Sequence, residues 1–183
     1  MDCKVPGTMA ITFDDGPYLY TNDLLDILAE YDVSATFFIN GKNMGRALDR
    51  DRFKQKVVKR AYAEGHQIGS HTWGHRDLSM TKGAAREQQM TELEDALMQI
   101  SLDTLDYGVR TVDEMTGVEE KFGQKLPTDP SEPGPIVLAH DSLELTVYQL
   151  TVPMIEKSLA AGFRLVTVGE CLGESRKYWY KWK

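Results

Sequence analysis

Three of the four histidines and one pair of adjacent aspartates stand just after segments that read as strands. Asp14-Asp15 follows Thr8–Phe13 (TMAITF), and Asn40 follows Ser34–Ile39 (SATFFI). His71 and His75, in HTWGH, follow His66–Ser70 (HQIGS), and His140-Asp141 follows Ile136–Ala139. An HxxxH spacing lets two imidazoles reach one ion. Taken singly, each motif has a bland reading: two surface or capping histidines, and an Asp-Asp-Gly-Pro turn. Taken together, two histidines and one carboxylate make a facial set with open positions, suited to a catalytic divalent metal. A structural zinc site would use four protein ligands and favour cysteine. The second carboxylate of the pair is then free to act as a base.

The elements that must position these groups alternate strand and helix. The run Thr8–Phe13 is apolar and β-branched, and it stops at Asp14-Asp15-Gly16-Pro17. Thr21 or Asn22 can cap a helix carrying Leu24, Leu25, Leu28 and Tyr31. Asp51–Ala63 is predicted helical with Phe53, Val57 and Tyr62 on one stripe. Residues 82–100 read as the clearest helix, with Met90, Leu93, Leu97 and Ile100 on one face, and 108–122 as another. Thr128–Pro135 reads as a loop. Thr146–Ala161 is predicted helical with Tyr148, Val152, Ile155 and Leu159 inward, and Phe163–Val168 is the last strand. Short strands alternating with longer helices give an α/β fold with parallel pairing through right-handed crossovers. In such a sheet or barrel the C-terminal strand ends share one rim, which is where the polar groups fall.

Composition sets the outer limits. The chain has 183 residues, 42% apolar and 27% charged, which is a globular composition expected to form a single domain over 1–183. A net charge of −7 argues against a nucleic-acid partner. The apolar runs are too short to span a membrane, and no charged start leads into an apolar run of the secretion-signal type.

At this point the motifs match a family. Met9–Pro17 (MAITFDDGP), Ser34–Gly41 (SATFFING), Ser70–His75 (SHTWGH) and Ile136–Asp141 (IVLAHD) resemble, in order, the polysaccharide deacetylases with a NodB homology domain. Asp15–Leu28 and Leu165–Leu172 (LVTVGECL) resemble the fungal chitin deacetylases in particular. The resemblance implies a distorted (β/α) barrel and removal of N-acetyl groups from chitin or another N-acetylglucosamine polysaccharide. It also implies a divalent metal, zinc first and cobalt or a similar ion as an alternative. By the same resemblance Asp15, His71 and His75 would hold the ion, Asp14 would be the general base and His140 the general acid. Trp73 and Leu138 would shape the pocket. A secreted or cell-wall protein, acting as a monomer, is the matching expectation. In that setting Cys3 and Cys171, which flank the first and last strands, would pair as a disulfide.

One departure stands out. The family carries an Arg-x-Pro-Tyr motif between HxxxH and the late histidine, and no such motif occurs here. The stretch ending at Ile100 runs straight into Ser101–Tyr107 (SLDTLDY), which resembles the next motif, so Asp103 or Asp106 would orient His140. The barrel is therefore expected to lack about one strand–helix unit, with Arg110 as a possible stand-in for the missing arginine. Three readings stay open: a metal-dependent chitin N-deacetylase, a weakly active or inactive chitin-binding relative, and a peptidoglycan or xylan deacetylase of the same fold. The tail Arg176–Lys183 (RKYWYKWK) alternates cations and aromatics and reads as a terminal segment packed on the barrel or frayed, with sugar stacking as the other option.

Overall fold

The computed structural model describes residues 2–91, 102–103 and 106–180. Its elements are β1 (Thr8–Asp14), α1 (Thr21–Glu30), β2 (Thr36–Ile39), α2 (Arg52–Ala63), β3 (Gln67–Ser70), α3 (Ala84–Thr91), β4 (Leu102–Asp103), α4 (Val112–Lys125), β5 (Ile136–His140), α5 (Thr151–Ala160), β6 (Arg164–Leu165) and α6 (Val168–Cys171). Every strand pair is parallel, in the order β3-β2-β1-β5-β4, and β6 pairs with the start of β1. This is the α/β architecture expected from the alternation of short strands and helices. Among the described residues no pairing joins β3 to β4, so the described strands form an arc.

The pleat sorts β1 into two faces. Met9, Ile11 and Phe13 join the main core with Leu24, Leu25 and Leu28 of α1, Met115 and Phe122 of α4 and Met154 and Ile155 of α5. Thr8, Ala10, Thr12 and Asp14 alternate onto the other face. Because that face is also buried, the strand reads as apolar throughout rather than alternating. Register carries the same face across the sheet. Asp14 pairs with Phe38 of β2 on one side and with His140 of β5 on the other, which places the two titratable groups side by side at the rim.

Several helix faces differ from the expected stripes. In α2 the buried residues are Lys54, Val57 and Ala61, while Phe53 and Tyr62 are exposed. Lys54 is tolerated inside because its Nζ donates to the Met44 carbonyl. In α5 the cause is Pro153, which has no N–H to offer the carbonyl four residues back. One π turn, Thr146–Leu150, precedes the helix, with the Thr151 N–H on the Thr146 carbonyl. The shift turns Val147, Leu150, Met154 and Ile155 inward and leaves Tyr148 and Leu159 outside. The last strand is shorter than expected because Thr167 and Glu170 form a capping box that starts α6. Of the 82–100 helix, Ala84–Thr91 is helical. The side chain of Met90, together with Leu93, Leu97 and Ile100, lies outside the described residues.

Cys3 and Cys171 are joined by a disulfide, with their Cα atoms 4.8 Å apart. They sit in a second, smaller core with Ala10, Ile136, Val166 and Val168. The tail is packed through Tyr180: its hydroxyl accepts the Ile68 N–H of β3 at 2.9 Å. Arg176 donates to the Gly65 carbonyl at 2.8 Å. No helix among the described residues is long and apolar enough to cross a membrane.

Candidate active site

The rim is built from strand ends and the turns that follow them. Asp14 is the last residue of β1 and is buried. Asp15 turns the chain out of the strand with φ +74°, in the left-handed region that aspartate visits more readily than most residues. Asn40 follows β2 and ties the next loop down, its amide donating to the carbonyls of His71 and of Thr72, the latter at 2.9 Å. That loop holds two further residues at positive φ, Thr72 (+69°) and His75 (+49°). A β-branched residue there is strained, and the strain is held by the Asn40 contacts and by the Thr72 hydroxyl, which accepts the His75 N–H at 3.1 Å.

The result is a triad of potential ligands. Asp15 Oδ1 lies 3.6 Å from His71 Nε2 and 3.3 Å from His75 Nε2. One donor atom from each of the three residues falls within 4.8 Å of the others. Donors bound tetrahedrally at about 2.1 Å sit about 3.4 Å apart, so these positions fit one small cation. Asp15 Oδ1 is also buried without a hydrogen-bond partner, which a cation would satisfy.

Asp14 stands beside the triad, its Oδ2 3.5 Å from His71 Nδ1. Burial pushes its carboxyl up to about 8 in the metal-free chain; His140 opposes the shift, and Asp15 and Asp141 add to it. Across the sheet, His140 Nδ1 is 2.8 Å from Asp106 Oδ1, and Asp106 Oδ2 accepts the His140 backbone N–H at 2.9 Å and the Thr146 hydroxyl at 2.7 Å. Burial disfavours the imidazolium, but the Asp106 hydrogen bond and charge outweigh it and hold His140 above the ordinary histidine value. Tyr107 sets its ring edge-to-face against His140 at 5.5 Å.

Of the two aspartates expected to orient His140, Asp106 makes the contact. Asp103 contributes its backbone to β4, opposite Leu138, and its side chain lies outside the described residues. Arg110 does not stand in for the missing arginine: its guanidinium donates to the carbonyls of Tyr107 and Val109, both at 2.9 Å. Among the described residues no lysine or arginine pairs with Asp14, and its Oδ1 is buried without a partner. Trp73 packs against Gly41, where an added Cβ would come within 2.0 Å of the indole. The ring lines a cleft of 550 Å³ with Lys42, Arg46 and Arg50.

Sequence reasoning missed Asp141 and Thr21 as parts of one contact. Asp141 is fully buried and its Oδ2 accepts the Thr21 hydroxyl at 2.7 Å. Its place at the end of the IVLAHD motif was the available signal for Asp141. Neither Thr21 nor Asn22, the two expected caps, caps α1: the cap position is Tyr20, and the Thr21 hydroxyl instead accepts the Tyr18 N–H at 2.8 Å.

Comparison with known proteins places this rim in context. The chain is 36% identical to a chitin deacetylase of Colletotrichum lindemuthianum over 214 aligned positions, covering 99% of this chain and 86% of that protein. It is 39% identical to a chitin deacetylase of Pestalotiopsis sp, over 98% of this chain and 68% of the other. The structure of the chitin deacetylase from the fungal pathogen Colletotrichum lindemuthianum superposes with a TM-score of 0.92 at 34% identity, covering 99% of this chain and 94% of that one. An alignment of 214 positions for a chain of 183 residues leaves at least 31 positions of the relative with no counterpart here. Residues 2–111, which carry Asp14, Asp15, His71 and His75, match the profile of the polysaccharide deacetylase domain. That match over more than half of the chain, with relatives above 35% identity along nearly all of it, makes the chain a member of the polysaccharide deacetylase family.

Proposed function

We propose that residues 1–183 form one catalytic domain that hydrolyses the N-acetyl groups of chitin or chitooligosaccharides and releases acetate, outside the cell or in its wall. The observation that carries this reading is the register pairing of Asp14 with His140 beside the Asp15–His71–His75 triad. Base, acid and ligand set thus face one rim. The two chitin deacetylases above point to the same substrate.

Asp15, His71 and His75 would hold a divalent ion, zinc by their nitrogen-and-oxygen donor set, with cobalt as an alternative. Such an ion polarises the amide oxygen and lowers the pKa of water, as in other metal-dependent hydrolases. Asp14, buried and with one oxygen unpartnered, takes the proton of the attacking water. His140 uses Nδ1 on Asp106, so Nε2 is the atom left to protonate the leaving sugar nitrogen. Against the effect of burial, the hydrogen bond and charge of Asp106 hold that imidazole's pKa above the ordinary histidine value.

A specific observation favours a second reading, a weakly active relative: Asp14 has no cationic partner among the described residues, and the chain is shorter than its relative by at least 31 aligned positions. The experiment that decides is acetate release from chitin oligomers, peptidoglycan and acetylated xylan, with and without added zinc, against Asp14→Ala. Zinc-stimulated release from chitin oligomers that Asp14→Ala abolishes is the expected result. Zinc binding without Asp14-dependent release from any of them overturns the enzyme and leaves the second reading.

A further inference from the structure

Behind the metal-ligand turn lies a buried carboxylate that the mechanism does not use. Asp141 is 0% exposed. One of its oxygens accepts the Thr21 hydroxyl at 2.7 Å and the other has no hydrogen-bond partner. It packs against Gly16. A Cβ built on Gly16 would lie 2.1 Å from Asp141 Oδ2 and 2.4 Å from Oδ1, so the carboxylate is pressed against that backbone.

Gly16 is the residue after Asp15. Its carbonyl accepts the Asn40 N–H at 2.9 Å on the side of β2. It is therefore held from one side by β2 and backed on the other by Asp141, which Thr21 braces from α1. The Thr21 hydroxyl is held from both sides: it accepts the Tyr18 N–H and donates its proton to Asp141. The contact runs through 120 residues of sequence and joins the strand end that carries His140 to the turn that carries Asp15.

We propose that Asp141 is a positioning residue: braced by Thr21, it fixes Gly16 and so the outward turn that presents Asp15 to the metal. This rests on the metal-site reading above. Gly16 does not have a positive φ, so its need for glycine comes from this close approach rather than from backbone conformation. Groups that orient ligands from behind are typically worth about 10- to 100-fold in metal affinity.

The test is zinc affinity, read by competition with a chromogenic chelator on folded protein, with thermal melting run in parallel. Gly16→Ala and Asp141→Ser are each expected to weaken zinc about 10- to 100-fold. The double variant is expected to lose clearly less than the two losses combined, because serine makes room for the new methyl. Thr21→Val should weaken zinc while Thr21→Ser restores it. Strictly additive losses, or Asp141→Ser within twofold of the parent, overturn the proposal. If Asp141→Ser does not fold, the Thr21→Val and Thr21→Ser pair decides: equal affinities overturn it. If the parent chain itself binds no zinc, the metal-site reading fails instead.

Discussion

Asp106 grips His140 twice, by Oδ1 on the ring Nδ1 at 2.8 Å and by Oδ2 on the backbone N–H at 2.9 Å. The double contact sets ring orientation and charge together. In the proposed mechanism it leaves Nε2 as the ring nitrogen for the substrate, and the two residues would act as one acid.

Replacing Asp106 by Asn should therefore damage turnover in a particular way. The ring loses the carboxylate that holds its pKa up, and the amide offers no negative charge to an imidazolium. General acid catalysis is worth about 10²–10⁴ in rate, so kcat should fall within that range while KM changes little. The high-pH limb of the kcat profile should move to lower pH, because His140 loses its proton earlier. A profile that keeps its limb in place would separate Asp106 from the acid.

The metal triad makes a stability prediction. A ligand at 100 times its Kd adds about 2.7 kcal/mol to the folded state. For a domain of this size that corresponds to about 2–4 °C per kcal/mol. Zinc-loaded protein should melt roughly 5–10 °C above the chelator-treated form. His75→Ala should show the same melting temperature with and without chelator. A shift that survives in His75→Ala would place the ion elsewhere.

These groups were legible in the sequence for a simple reason: parallel strands bring their C-terminal ends to one rim, so Asp14, His71 and His140 needed only strand assignments to be placed together. The disulfide was legible from the resemblance and the neighbouring of β1 and β6. What escaped was set by tertiary contact. Local periodicity cannot show that a proline at position 153 shifts the inward face of α5, or that Lys54 finds a carbonyl inside. Nor does any local signal link Thr21 to Asp141. The short β6 was in principle readable, since Thr167 and Glu170 have capping-box spacing.

His66 supplies a pH prediction away from the metal. It is buried under Phe37, and its Nδ1 accepts the Ala35 N–H at 3.1 Å. Burial pushes its pKa down to about 4. Between about 6.5 and 4 the unfolded chain holds this proton and the folded chain does not. Stability from this group falls as pH drops through that window, by at most about 1.4 kcal/mol per pH unit. Asp14, raised by burial, contributes with the opposite sign, so the informative quantity is a difference. His66→Gln, which can still accept the Ala35 N–H, should lose less stability than the parent between pH 6.5 and 4.5 in urea titrations. Parallel curves would contradict the assignment.

The motif order implies that the positions with no counterpart in this chain fall between Ile100 and Ser101, outside the described residues. In the family resemblance the absent Arg-x-Pro-Tyr stretch supplies an arginine for the base and a backbone donor for the oxyanion. Asp14 correspondingly lacks a cationic partner among the described residues, and Arg110 is committed to the carbonyls of Tyr107 and Val109. Loss of one oxyanion donor costs about 10²–10³ in kcat. On the same chitin oligomer the chain should therefore turn over roughly 10²–10³ more slowly than the Colletotrichum protein, at similar zinc affinity, because the triad comes from β1 and the β3 loop, not from that stretch. Inserting the relative's segment between Ile100 and Ser101 should recover most of the rate without changing zinc affinity. Equal turnover in the two uninserted proteins would mean that Asp14 and His140 suffice without it.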